Sequence, residues 1–140
     1  MILLDTSMIL RSKQKSSSHY HFITEKLIEM VSIGEELVVC PQVIYEFYVV
    51  ATRPHDKNGF GLSAETAIGE IENILSTYSM LAETDQVYFN WLKLISDYKV
   101  IGKNAHDARI VAFMVSNSIS SLYTLNKKDF ERFHSIIELI

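Results

Sequence analysis

Apolar and polar positions along this chain change their spacing several times, and each change marks an element. Met1-Ile2-Leu3-Leu4 is a short apolar run that stops at Asp5-Thr6-Ser7. A run this short, bounded by small polar residues, reads as a strand buried on both faces inside a parallel sheet. Thr6 and Ser7 are placed to cap a short turn or helix through Met8, Ile9 and Leu10. Arg11 to Ser18, rich in serine and lysine, reads as a loop. From about Ser18 to Ile33, Ile23, Leu27, Met30 and Val31 recur at helical spacing, and Gly34 fits the residue just past a helix C-terminus. Leu37 to Cys40 is a second apolar strand. Pro41 then suits a first helical position, with Val43, Phe47, Val50 and Ala51 as the buried face and a stop near Arg53-Pro54.

His55 to Leu62 is rich in turn residues. Ser63 caps a third long helix, whose stripe is Ala67, Ile68, Ile71, Ile74, Leu75 and Tyr78. Met80 to Glu83 reads as a short strand. Thr84 or Asp85 starts a helix carrying Val87, Trp91, Leu94, Ile95 and Tyr98, and Gly102 breaks the chain. Asn104 is placed to cap a helix from Ala105 to about Ser116, apolar almost all round and therefore central. Ser121 to Leu125 is a strand, Lys127 to Phe133 a helical turn, and Ser135 to Leu139 a final strand. Strands alternating with helices predict an α/β fold: a mostly parallel sheet with helices on both faces, in one domain over residues 1–140.

Composition narrows the function. At 48% hydrophobic the chain has ample material for one core. Thirteen basic and 17 acidic residues give a net charge of −4, which argues against a general nucleic-acid coat protein. That balance is compatible with an enzyme that meets a polyanion through a local basic rim and a metal. The lone Cys40 permits no disulfide framework and reads as a buried thiol, which points to a reducing compartment. No apolar run approaches the ~20 residues of a membrane span, and the N-terminus lacks the shape of a signal peptide. The expectation is a cytoplasmic protein without a membrane partner.

Acidic residues recur where such a sheet presents one edge. Asp5 follows the first strand, at the carboxyl edge where open α/β sheets bind ligands. Glu46 projects from the apolar stripe of its helix, where an unpaired carboxylate costs several kcal/mol unless it is paired, protonated or bound to metal; the ordinary alternative is a glutamate at the stripe's edge that reaches solvent. Asp107 lies in the first turn of the most buried helix, where the helix dipole alone would favour an acid; beside it, His106 is a ligand candidate or simply a helix-start histidine. Asn126 and Asp129 follow the late strand, Asp129 with a capping role as its alternative. Clustered carboxylates repel, and hard oxygen ligands suit Mg²⁺ or Mn²⁺ rather than zinc. Arg11, Lys13, Lys15, Arg53, Lys103, Arg109, Lys127 and Lys128 flank these positions and are candidates to steer a phosphate.

MILLDTS, PQVIYEFYVVATRP, GKNAHDARIVA and YTLNKKDF, in this order and spacing, resemble the PIN domain family, and within it the VapC-like toxin group and its stand-alone relatives. The resemblance spans essentially the whole chain. It implies a three-layer α/β/α sandwich and metal-dependent hydrolysis of RNA phosphodiesters, with Mg²⁺ or Mn²⁺ as the ion. By position it assigns catalytic and metal-binding roles to Asp5, Glu46 and Asp107 and a supporting role to Ser7. The family's fourth acidic position falls at Asn126, an uncharged oxygen ligand, with Asp129 nearby as a supporting acid; this implies one well-held ion. It also implies an RNA substrate, a cognate antitoxin and a homodimer. A rival of another class is a PIN-like binding or assembly module with a weak or inactive site, for which the Ala67 to Tyr78 stripe and Tyr45, Phe47, Tyr48 and Trp91 would supply contacts. A third is a phosphoacceptor domain, for which the chain has an acid after its first strand but lacks the adjoining acidic pair and the late-strand lysine.

Overall fold

The computed structural model describes residues 1–140. The elements in chain order are β1 (Ile2–Leu4), α1 (Thr6–Lys13), α2 (Tyr20–Ser32), β2 (Leu37–Val39), α3 (Pro41–Thr52), α4 (Ala64–Thr77), β3 (Ser79–Met80), α5 (Asp85–Asp97), α6 (Asn104–Ser116), β4 (Ser121–Tyr123), α7 (Lys127–Phe130) and β5 (Glu138–Leu139), with 3₁₀ turns at His55–Lys57 and Glu131–Phe133. The five strands form one sheet in the order β3-β2-β1-β4-β5, and every pairing is parallel. Ile2 stands opposite Leu37 on one side and Ser121 on the other, so β1 is central. Its three residues are buried, as an apolar run flanked by two parallel neighbours requires.

From β1 the chain steps outward to β2 and β3, then crosses back over to β4 and β5 on the far side. With right-handed crossovers, the helices before β3 cover one face and α5 and α6 the other. The packing agrees: α1 meets α2 and α3, α3 meets α4, and α5 packs along α6. The strand order therefore reverses between β1 and β4, and the crevice at their carboxyl ends is where such sheets bind ligands. The core joins β1, β2 and β4 to α3 and α6, with Phe47, Phe113, Phe130 and Phe133 fully buried. No helix is long and apolar enough to cross a membrane.

Several local expectations shift. Asp5, not Thr6 or Ser7, is the N-cap of the first helix, and its side chain accepts from the Ser7 N–H. That helix runs on to Lys13, through residues expected to be loop. The third strand is Ser79–Met80, earlier than Met80 to Glu83, because the chain pairs with β2 as soon as α4 ends. Lys103 rather than Asn104 occupies the N-cap of α6, without a side-chain cap bond. The last strand shrinks to Glu138–Leu139. Val31, Ile68 and Leu75, counted on the apolar stripes, are exposed. Gly34 does terminate α2, at φ 89°, in the left-handed region that glycine adopts without strain.

Candidate active site

Asp5 leaves the sheet at the reversal point. Its N–H still donates to the Tyr123 carbonyl (3.0 Å), which ties the end of β1 to the end of β4. One carboxylate oxygen, Oδ2, accepts from the Ser7 hydroxyl (2.6 Å), the Thr124 hydroxyl (2.7 Å) and the Ser7 N–H (3.4 Å). The direction of these bonds is fixed from behind. The Leu125 N–H donates to Ser7 Oγ and the Asn126 N–H to Thr124 Oγ1, so each hydroxyl proton turns toward Asp5. A carboxylate held by several donors keeps its rotamer. Oδ1 has no hydrogen-bond partner.

Glu46 is held comparably on α3. Thr6 donates to Oε2 (2.6 Å) and the Gln42 amide to Oε1 (2.8 Å). Gln42 sits one helical turn before Glu46 and is buried; its Nε2 also donates to the His106 carbonyl (3.0 Å), and its Oε1 accepts from Arg109 (2.9 Å). Arginine only donates, so Arg109 dictates which end of the amide faces Glu46. Arg109 is in turn paired with Glu83. Glu46 thus receives its orientation through a chain that spans α3, α6 and the segment before α5.

Asp107, in the first turn of α6, is different. It has no salt bridge and no hydrogen bond through its side chain. Burial, and after it the charges of Asp129, Asp5 and Glu46, pushes its carboxyl up to about 6, with His106 acting weakly the other way. The acids that add to this shift come from far apart in the chain and line the same cavity.

Asp5, Ser7, Glu46, Asp107, Asn126 and Asp129 all line one cavity of about 300 Å³, and Arg11 is the only cation on its wall. The structure thus brings together each acid, the amide and the hydroxyl singled out from sequence. The His106 ring is exposed and does not line this cavity. Lys13 pairs instead with Glu70, and Arg109 acts through Gln42. Thr6, Gln42, Arg109 and Thr124 were not singled out for positioning the acids. Thr6 carried a weak signal, being a hydroxyl residue at a strand end beside an acid, and Thr124 a weaker one, as a hydroxyl residue at a strand end; the Gln42–Arg109 contact carried none.

The donor set suits a hard divalent cation. It is all oxygen and excess negative charge, with an unpartnered Asp5 oxygen, and neither Cys nor His lines the cavity. No three of the acidic side chains stand close enough to chelate an ion by themselves. That is compatible with Mg²⁺, which keeps several of its waters and uses only one or two carboxylates. Cys40 does not compete as a nucleophile: burial pushes its thiol up to about 11.

Comparisons with known proteins agree with this architecture. A family model described as PIN domain matches residues 2–135. The structure of VapBC-1 from nontypeable Haemophilus influenzae aligns with a TM-score of 0.73 at 23% identity, covering 100% of this chain and 97% of that one. DNA-bound VapBC from Salmonella typhimurium gives 0.73 at 17%, covering 99% and 96%. Mycobacterium tuberculosis VapC20, described as a sarcin–ricin loop cleaving toxin, gives 0.65 at 13%, covering 99% and 97%. Among curated proteins none matches in sequence.

Proposed function

The chain belongs to the PIN domain family, and from that premise we propose that it is a metal-dependent ribonuclease, the toxin of a toxin–antitoxin pair. The observation that carries the reading is the convergence of Asp5, Glu46, Asp107 and Asp129, from four separate parts of the chain, on one cavity at the reversal point of the sheet. Four acids facing one cation are a costly arrangement for folding alone.

Asp5 and Asp107 would hold a Mg²⁺ or Mn²⁺ ion, with the Asn126 amide oxygen and Glu46 beside them. Such an ion polarises a phosphoryl oxygen and lowers the pKa of bound water. The protein's own part is positioning. Ser7 and Thr124 occupy Oδ2 of Asp5 and leave Oδ1 free for the ion. Thr6 and Gln42 hold both oxygens of Glu46, leaving it a remaining lone pair on each to orient the attacking water. Arg11 on the wall offsets part of the negative charge that would otherwise repel a phosphodiester. An antitoxin is supported by the neighbouring structures, several of which are toxin–antitoxin complexes. A basic side chain placed among the acids would satisfy them as the ion does.

The test is cleavage of RNA in Mg²⁺ or Mn²⁺ by the native chain, Asp5→Asn and Glu46→Gln, with circular dichroism to verify folding. Both variants should lose cleavage at least a hundredfold, as expected when a preorganised electrostatic contact is removed. Equal activity in all three chains refutes the reading. Metal-independent RNA binding without cleavage would favour the binding-module alternative.

A further inference from the structure

Beside the acidic cavity lies a larger one of about 920 Å³. One wall is α2, with Phe22, Lys26 and Met30; the other is the end of β4 and the start of α7, from Tyr123 to Asp129. The two cavities share a rim, since Leu125, Asn126 and Asp129 line both. Chemistry changes across that rim. On one side are the carboxylates; on the other are Lys26, Lys127 and Lys128 with the rings of Phe22 and Tyr123. Lys26 is paired with Glu29, but Lys127 and Lys128 have no ion pair. Glu131 is the one acid of this wall away from the rim.

Phe22 is the exposed aromatic residue of this wall: it is 56% exposed, on a helix whose core-facing positions are Ile23 and Leu27, and it stacks on no other aromatic side chain. An exposed aromatic next to free ammonium groups is the composition that binds single-stranded nucleic acid, with bases on the ring and phosphates on the cations. The volume falls within the range of small-molecule and nucleotide sites. The unpaired Lys127 and Lys128 favour RNA over a basic protein segment, and a strand whose scissile phosphate sits among the acids must continue past the shared rim.

We propose that this cavity is the subsite for the nucleotide next to the scissile phosphate, with its base against Phe22 and its phosphate on Lys127 and Lys128. This rests on the ribonuclease reading for the identity of the strand. The subsite is separable from the chemistry, because Phe22, Lys127 and Lys128 do not line the acidic cavity.

The experiment compares the native chain with Phe22→Ala, Phe22→Trp and the double variant Lys127→Gln/Lys128→Gln. Binding of fluorescein-labelled oligouridylate is followed by anisotropy in EDTA, and cleavage of the same RNA is followed in Mn²⁺. Phe22→Ala should weaken binding and raise KM about tenfold, within the range of one lost base stack, with kcat within about twofold. Phe22→Trp should restore both. The lysine variant should reduce the salt slope of binding by about 1.4, as two single-strand phosphate contacts predict. If the native chain binds RNA in a Phe22-dependent way and cleaves nothing, the groove stands as an RNA-binding site and the nuclease reading fails. If it cleaves RNA with KM, affinity and salt slope unchanged in every variant, the subsite is overturned while the nuclease reading stands, and the groove passes to a protein partner.

Discussion

Replacing Gln42 with leucine keeps the volume of a buried side chain and removes only its amide. Three partners then lose a bond together: Glu46 Oε1 at 2.8 Å, the His106 carbonyl at 3.0 Å and Arg109 at 2.9 Å. Hydrogen bonds to charged groups contribute about 1.5–3 kcal/mol each, and neutral ones about 0.5–1.5. Glu46 and Arg109 are half-buried, so water recovers part of the loss. Arg109 also keeps its pairing with Glu83. The expected cost is about 2–4 kcal/mol, read as a lower urea midpoint with an unchanged m-value. In a Glu46→Leu background the cost should shrink by about 1 kcal/mol or more, because the strongest partner is already gone. In the cleavage assay, kcat should fall about tenfold with little change in KM, since Glu46 is misaligned and the RNA contacts are intact. An unchanged urea midpoint, or the same cost with and without Glu46, would refute the claim that the amide holds the carboxylate.

Two further predictions concern the acids themselves. In metal-free protein, NMR should place the Asp107 midpoint near the value of about 6 to which burial, then Asp129, Asp5 and Glu46, raise it. The folded state therefore holds this proton to higher pH than the unfolded chain does, so Asp107's contribution to stability is present at low pH and is lost as pH rises from about 4 through 6; Asp129→Asn should lower the midpoint, and an ordinary carboxylate midpoint in the native chain would contradict the crowding described. Thr124→Val removes the donor to Asp5 and strands the Asn126 N–H, which should cost about 1–3 kcal/mol in urea unfolding; a neutral result would mean that Ser7 alone fixes Asp5.

What sequence could and could not show follows from the range of each interaction. Strand and helix identities depend on spacing within a few residues, so the periods around Leu3, Val38, Phe47 and Ile110 were readable. So was the carboxyl edge, because a parallel sheet puts the ends of its strands on one side. The cap of α1 was misjudged because Asp5, Thr6 and Ser7 are all good capping residues, and a one-residue difference in the helix start selects among them. Arg11 to Lys13 read as loop because the serines beyond them are poor helix formers, yet packing of α1 on α2 and α3 extends the helix. Gln42 and Arg109 lie 67 residues apart, and neither has a local pattern that announces the other. Asp107 was legible as an acid at a helix start, but its perturbed titration was not, since that depends on which other acids face it.

The middle strand of the sheet is laid down first in the chain, while one of its two neighbours comes near the end. Asp5 meets Thr124 across 119 residues of sequence. A nascent chain that stops short of Ser121 would have β2 on one flank of β1 and open backbone on the other, with Asp5 missing a donor and the cavity missing the wall that Leu125 to Phe130 supply. Contacts this distant form late in folding, after the local helices. The acidic cavity, the proposed nuclease site, is therefore complete only once the chain as far as Phe130 has been made.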